Sequence, residues 1–168
     1  MVMRARCRIE AAASKNRGIR MSEHRIELDW LRKDGPFERG NYSSTHEITF
    51  SDSLKIKGSP SPAFGGDDSA ADPEQLLVSS ISACHMLTFL AVAANRGYIV
   101  DSYHDSASGT LAKNGDGKMA VVKTVLSPKV AFSGEKHPSA EEYKQLHDRA
   151  HQGCFIAHSV KTEIEIVL

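Results

Sequence analysis

The alternation of apolar and polar residues predicts β-strands at both ends of the chain. Over residues 24–32, the apolar side chains of Ile26, Leu28 and Trp30 fall on one face, which is typical of a half-buried strand. Two longer stretches of strand character meet at Asn114-Gly115-Asp116-Gly117, a strong hairpin signal. The predicted strands cover residues 24–32, 46–50, 54–57, 98–113, 118–132 and 161–168.

A long apolar run in the middle of the chain predicts a helix. The run follows Asp72-Pro73-Glu74-Gln75, which offers an N-cap aspartate, a proline at the first helical position and a glutamine for a capping box. Asn95-Arg96-Gly97 supplies the stop signal. A helix over 73–96 would be about 36 Å long. Because it is apolar around most of its circumference, we expect it to be buried on several sides, which so small a domain achieves only as a homodimer.

The order of the predicted elements defines the fold class. Ser139 and Glu142 form a second capping-box pattern, which predicts a helix through His151. Gly153 ends this helix, and a short helix or turn begins at Cys154. Three strands, a long helix, two strands, a helix and a strand predict a single α+β domain over residues 21–168, with a long buried central helix.

The first twenty residues differ from the rest. They contain six basic residues against the single Glu10 and lack the apolar core of a secretion signal. We interpret residues 1–20 as a basic leader that is disordered or not native, either a targeting peptide or, preferably, translated sequence before a start at Met21. No role is assigned to Cys7, which lies in this leader.

Charge and composition restrict the partners. The chain has 21 basic and 21 acidic residues, so its net charge is zero and no general attraction to nucleic acid or an anionic membrane is expected. We expect no apolar run to reach the roughly 20 residues that span a bilayer. We therefore expect neither a nucleic acid nor a membrane as partner, and a cytoplasmic location.

Two cysteines remain outside the leader, Cys84 and Cys154. They form no C-x-x-C pair, and without a secretion signal a structural disulfide framework is not expected. Cys84 lies in the middle of the long helix, where a cysteine is most often a small buried hydrophobe and where a reactive thiolate needs a nearby cation. Cys154 follows Gly153 at a helix-to-turn junction, where backbone amides are free. The two are core residues, metal ligands or a redox pair.

The sequence around both cysteines resembles the osmotically inducible protein C (OsmC) and organic hydroperoxide resistance family. Asp72-Pro73-Glu74-Gln75-Leu76, ten residues before Ala83-Cys84, is similar to the motif that precedes the family's peroxidatic cysteine. Gly153-Cys154 resembles the step that carries its resolving cysteine. The resemblance covers residues 23–168 and implies the OsmC-like fold, with antiparallel sheets around the central helix in an intertwined homodimer.

The resemblance implies a cysteine-based reduction of organic hydroperoxides. In that chemistry Cys84 attacks the peroxide as a thiolate, becomes a sulfenic acid and condenses with Cys154. The family uses no bound cofactor and is regenerated by an external dithiol, such as a lipoyl group or a lipoyl-protein. Leu87, Phe89 and Leu90 are candidates for an apolar pocket, with plain core packing as the alternative for each.

Two charged residues complete the site that the resemblance implies. Glu74 matches the acidic residue that pairs with an arginine facing the cysteine, although on a straight helix it lies about 15 Å from Cys84. The two groups meet only if the helix bends near Ser79-Ser80, if a long arginine bridges them, or if the partner subunit contributes one. Otherwise Glu74 is a first-turn carboxylate that favours the helix dipole. Arg39 is the first candidate for the arginine and Arg32 the second, while a solvated Glu38–Arg39 pair is the alternative.

Other hypotheses stay open. His85, in a position where many relatives carry an aromatic residue, is interpreted as a core or interface histidine or as a base at the pocket wall; Phe155 stands where proline is common. A zinc site is a second hypothesis, drawing four ligands from Cys84, His85, His151, Cys154 and His158. A third is a dimer of the same fold that binds an apolar ligand without peroxidase activity.

Overall fold

The computed structural model describes residues 21–32 and 35–168, so the predicted basic leader, Cys7, Lys33 and Asp34 lie outside it. The chain forms eight strands, three α-helices and a 3₁₀ turn at Pro62–Phe64 within these residues. The elements are β1 (Glu27–Asp29), β2 (His46–Ser51), β3 (Leu54–Gly58), α1 (Pro73–Asn95), β4 (Ile99–Asp105), β5 (Ser108–Lys113), β6 (Met119–Leu126), β7 (Pro128–Ser133), α2 (Ala140–Gly153), α3 (Phe155–Ser159) and β8 (Glu163–Ile166).

The strands form three small sheets, which confirms the predicted α+β class. β1, β2 and β3 make an antiparallel sheet in that order, and β4 pairs antiparallel with β7. β5 pairs antiparallel with β6, whose other edge carries β8. The β6–β8 pair is parallel, with Lys123 opposite Glu163, and is thus the exception to the antiparallel arrangement expected from the sequence.

The long hairpin predicted over residues 98–132 is present, but both of its arms are broken. The turn forms as expected, with the Asn114 nitrogen bonded to the Lys118 oxygen and Gly117 at φ +75°. The prediction of two uninterrupted strands is wrong, because the arms divide into β4 and β5 and into β6 and β7. A side-chain bond explains the break: the Ser127 amide donates to the Asp105 carboxylate at 2.7 Å.

The helix α1 begins and ends where its capping signals predict. The Asp72 side chain accepts a bond from the Gln75 amide at 2.7 Å, and the Gln75 side chain accepts one from the Asp72 amide at 3.1 Å. Gly97 follows the helix at φ +74°, a left-handed conformation that only glycine adopts without strain. The second capping box, at Ser139 and Glu142, is likewise confirmed at the start of α2.

One face of α1 is buried within the chain. Its buried residues recur every fourth position and are Ile81, His85, Phe89 and Ala93. Phe89 and Ala93 join Tyr98, Leu146 and Ala150 in the main hydrophobic cluster, between α1, α2 and the β4–β7 sheet. The opposite face carries exposed Ala83, Leu87 and Ala91. A single chain therefore covers α1 on one side, whereas the sequence predicted burial on several.

By length and apolar composition alone, α1 is long enough to cross a membrane. The prediction that no apolar segment is long enough to span a bilayer is therefore wrong for α1. Core helices of globular proteins pass the same test, and α1 packs its buried face against α2 and the β4–β7 sheet.

Phe89 is fully buried at the centre of this packing, with its ring 4.4 Å from the His147 ring centroid. We expect Phe89→Ala to lower the free energy of unfolding by about 3–5 kcal/mol, since the change removes transfer free energy and leaves a cavity. Denaturant unfolding measures this. Phe155, which is 81% exposed, is the matched control; Phe155→Ala should change stability by less than about 0.5 kcal/mol. Equal effects of the two substitutions would contradict the packing described.

Candidate functional site

The end of α2 places Cys154 at a junction between two helices. α2 ends at Gly153, and α3 starts at Phe155. The Cys154 amide donates to the His151 carbonyl at 3.2 Å, and its Sγ accepts a bond from the Ala157 amide at 3.4 Å. The Cys154 side chain thus serves as the N-cap of α3, which fixes the position of its sulfur.

Gly153 allows this junction to lie close to α1. A Cβ atom at Gly153 would lie 2.9 Å from the Cγ2 atom of Thr88, closer than such atoms approach in proteins. The Thr88 hydroxyl in turn donates to the carbonyl of Cys84 at 2.9 Å. The glycine before Cys154 therefore brings the α2–α3 junction against α1 one turn beyond Cys84.

The two cysteines meet across this junction as free thiols. Cys84 is partly exposed, whereas Cys154 is buried with 1% of its surface accessible. Burial, and next the neighbouring Cys84 thiol, raise the pKa of Cys154 to about 11. The Cys154 thiol therefore holds its proton at neutral pH, beside a second, more accessible thiol.

A pair of buried histidines lies in the same helix–helix interface. The His85 Nε2 atom is 3.0 Å from the His147 Nδ1 atom, and both residues are 1% exposed. Burial above all lowers the pKa of each imidazole to about 4, and so both rings are neutral at neutral pH. Since its Nε2 atom is bonded to His147, His85 is a core histidine within the chain, which is one of the two roles interpreted from the sequence.

A groove of about 670 Å³ runs along the N-terminal half of α1, between the helix and strands β4 and β5. Glu74 lines one end, while Ala83, which precedes Cys84, and Met86 line the other. On the strand side the Asp105 carboxylate accepts a bond from the Ser82 hydroxyl at 2.5 Å. The groove connects the region of Glu74 with the region of the first cysteine.

Glu74 and Arg39 are not brought to the cysteines within one chain. In the part that the structure describes, no hydrogen bond or ion pair joins either residue to Cys84 or Cys154. α1 is one continuous helix through Ser79-Ser80, the place of the bend that was one of three predicted ways to bring the two groups together. Arg39 is exposed in the loop between β1 and β2. Arg32, the second candidate, donates to the Gly35 carbonyl at 3.1 Å.

The proposed zinc ligands do not converge. Among residues 21–32 and 35–168, no three His, Cys, Asp or Glu side chains form a group that could hold a metal ion. His85 is bonded to His147, and the His158 Nε2 atom donates to the Gln152 carbonyl at 2.8 Å. The single chain therefore offers no support for the zinc hypothesis.

His147 and Tyr103 also belong to this site, but the sequence did not predict a role for either. His147 is buried against the Phe89 and Tyr143 rings, and Tyr103 lines the groove. A signal for His147 was present, because it precedes His151 by one helical turn and Cys154 by two on the same face of α2. Tyr103 offered none beyond its place in a strand.

Comparison with known proteins identifies relatives of this chain. A family model described as OsmC-like protein matches residues 66–168. A solved structure of an OsmC-like protein of unknown function from Vibrio cholerae O1 biovar eltor is 42% identical, with a TM-score of 0.85, over 88% of this chain and 99% of that one. No curated protein sequence matches the chain.

More distant structures share the fold. An organic hydroperoxide resistance protein from Elizabethkingia anophelis has a TM-score of 0.62 and 18% identity, over 86% of this chain and 94% of that one. The organic hydroperoxide resistance protein of Bacillus subtilis has a TM-score of 0.58 and 19% identity, over 84% and 97%. The family match and the 42% identity together show that the chain belongs to the OsmC-like protein family.

Proposed function

We propose that the protein is a thiol-dependent peroxidase that reduces organic hydroperoxides through a Cys84 sulfenic acid and a Cys84–Cys154 disulfide. The observation that carries the proposal is the meeting of two free thiols at the junction of α1 with α2 and α3, since the two cysteines are seventy positions apart in the sequence. The resemblance at Asp72-Pro73-Glu74-Gln75-Leu76 and Gly153-Cys154 gives each thiol its role.

The proposed reaction balances in three steps. The Cys84 thiolate attacks one peroxide oxygen, the O–O bond breaks, and the alkoxide leaves and takes up a proton to give an alcohol. The Cys154 thiol then condenses with the sulfenic acid, which forms the S–S bond and releases water. An external dithiol finally reduces the disulfide and becomes a disulfide itself.

The environments of the thiols support this order of events. Only a thiolate attacks a peroxide efficiently, and Cys154 is protonated at neutral pH because its pKa is about 11. Cys154 is also buried, while Cys84 is partly exposed near one end of the groove. Cys84 is therefore the better first nucleophile and Cys154 the better resolving thiol.

The relatives support the substrate class. Two proteins of the same fold, from Elizabethkingia anophelis and Bacillus subtilis, are described as organic hydroperoxide resistance proteins. At 18% and 19% identity these structures show a shared fold, and we propose the same substrate class for this chain. The Vibrio cholerae protein, at 42% identity, is described as of unknown function.

We also propose that the working form is a homodimer. The exposed face of α1 is uncharged, and the β1–β3 sheet exposes apolar side chains such as Leu28 and Leu54. Burial of such surface stabilises an interface between two copies. A second copy would also supply what one chain lacks, because Glu74 and Arg39 do not reach Cys84 in their own chain.

We further propose a dithiol reductant and a cytoplasmic location. Each turnover must return both cysteines to thiols, and a cytoplasmic location favours this because that compartment is reducing. A small or protein-bound dithiol of the lipoyl type fits, since it can reduce a disulfide and close its own ring. The mechanism needs no bound cofactor.

Mixing the reduced protein with cumene hydroperoxide tests the proposal. We expect fast loss of the peroxide, one Cys84–Cys154 disulfide per chain by mass spectrometry, and continued turnover when dihydrolipoamide is supplied. Hydrogen peroxide is the matched comparison and should react more slowly. If the protein stays reduced in excess organic peroxide, the peroxidase is excluded and binding of an apolar ligand by the same fold becomes the better hypothesis.

A further inference from the structure

The interface between α1 and α2 is joined by a single side-chain hydrogen bond between two buried rings. The planes of the imidazoles of His85 on α1 and His147 on α2 lie within 6° of each other, with ring centroids 5.3 Å apart. Their facing nitrogens are 3.0 Å apart. This contact needs a donor on one ring and an acceptor on the other, and two protonated imidazoles offer only donors. The bond therefore exists only while at least one ring is neutral.

This bond lies on the two helices that carry the thiols. His85 directly follows Cys84 in α1, and His147 lies two helical turns before Cys154 at the end of α2. The close approach of Gly153 to Thr88 lies at the thiol end of the same interface. The histidine pair and the glycine therefore act together with the hydrophobic cluster between the helices to set the position of α2 against α1, and they are the contacts nearest the two sulfur atoms.

We propose that the His85–His147 hydrogen bond is a positioning contact that holds Cys154 against Cys84, and that its loss in acid disfavours the disulfide without slowing the attack of Cys84 on peroxide. The part that concerns peroxide rests on the proposed function. The part that concerns the disulfide does not, because any oxidant that joins the two cysteines depends on the same separation.

The surroundings of the pair make it sensitive to acid. Burial first, and then the charge of His151 for His85 and of His85 for His147, lower both pKa values to about 4, against about 6.5 in an unfolded chain. Two carboxylates oppose this effect but do not outweigh burial. The titratable groups that face the pair from β4, α2 and the α2–α3 junction are Tyr103, Asp105, Tyr143, Asp148, His151 and Cys154.

The sign of the pH effect follows from these pKa values. Each histidine has a lower pKa in the folded chain than in the unfolded one, so the unfolded chain binds more protons between about pH 6.5 and pH 4. The stabilisation by the neutral pair is present above about pH 6.5 and is lost as the pH falls through about 4. In the folded chain the contact itself is lost only when both rings are protonated, which needs a pH below about 4.

A glutathione redox buffer tests the positioning without any peroxide. The equilibrium between the Cys84–Cys154 dithiol and its disulfide measures how well the two thiols are placed. We expect His85→Leu, which removes the bonding nitrogen, to lower this equilibrium constant about tenfold at about pH 7. His85→Gln, whose amide nitrogen reaches about the position of Nε2, should restore it to within about threefold of the wild type.

A second variant isolates the acid response. His85→Gln combined with His147→Asn keeps hydrogen-bonding groups at both positions but removes both titrating rings. We expect the ratio of the wild-type constant to that of the double variant to stay constant between about pH 7 and 5 and to fall as the pH is lowered from about 5 to below about 4. With peroxide, His85→Leu should accumulate the sulfenic acid while forming it at the wild-type rate.

Each outcome decides a separate question. An unchanged equilibrium constant in His85→Leu, or a pH-independent ratio, overturns the positioning role whether or not the protein reduces peroxides. A shifted constant in a protein that ignores peroxide supports the positioning role and rejects the proposed function. If His85→Leu does not fold, the ratio of the wild type to the double variant still decides.

Discussion

Peroxide consumption is expected to fall to the uncatalysed level in Cys84→Ser, because a hydroxyl at this position neither ionises at neutral pH nor forms a sulfenic acid. The substitution replaces one atom by a slightly smaller one in a partly exposed position, so the fold should be kept. The measurement is stopped-flow loss of cumene hydroperoxide with reduced protein, with folding checked by thermal unfolding.

Cys154→Ser is the matched control for the order of the two cysteines. It should consume about one equivalent of peroxide per chain and then stop, because Cys84 becomes a sulfenic acid that lacks its resolving thiol. Dimedone should trap this species in Cys154→Ser and not in Cys84→Ser. Trapping of a sulfenic acid on Cys154 in the Cys84→Ser protein would reverse the assigned roles.

A monomer that has lost its activity is expected from Leu87→Lys. Leu87 is 63% exposed on the uncharged face of α1, where we propose that the second copy packs. A lysine there buries an unpaired charge in the dimer and is solvated in the monomer, so it opposes association far more than folding. Light scattering should report one chain per particle, and peroxide turnover should fall by at least about 100-fold because one chain alone lacks the proposed charged groups.

Met119→Lys is the control for this substitution. Met119 is 58% exposed at the start of β6, next to the hairpin turn. The same change there should leave the mass of the particle and the peroxide turnover within about twofold of the wild type, as surface substitutions usually do. A dimeric, active Leu87→Lys protein would show that this face of α1 is not the interface.

Local chemistry made much of the fold predictable. Both α1 and α2 start at a capping box that can be recognised from four residues, and the hairpin turn at Asn114-Gly115-Asp116-Gly117 depends only on its own sequence. The break in the hairpin could not be predicted in this way. It depends on the Asp105 carboxylate, which binds the amide of Ser127 across the sheet, and strand periodicity alone does not reveal such a long-range bond.

The sequence predicts only those residues of the candidate site that belong to a sequence motif. Cys84 and Cys154 were selected by their neighbours in the sequence, and the structure places them beside each other. His147 contacts His85, which is sixty-two positions away in the sequence. The spacing of His147 within α2 does not indicate this partner. The meeting of Glu74 and Arg39 with Cys84 is not formed within one chain, so the roles of these two residues stay predictions.

The parallel pairing of β8 with β6 determines when the reactive pair is assembled during folding. Lys123 and Glu163 are forty positions apart, and a parallel pair closes only after the intervening β7, α2 and α3 have folded back. Closing a loop of this length costs chain entropy before any contact is gained, so such long-range contacts form slowly. Cys154 lies within this crossover and is seventy positions from Cys84, so its sulfur is expected to reach Cys84 only late in folding, when the crossover packs against α1. A partly folded or nascent chain would then keep its two thiols apart, and premature oxidation would not trap it.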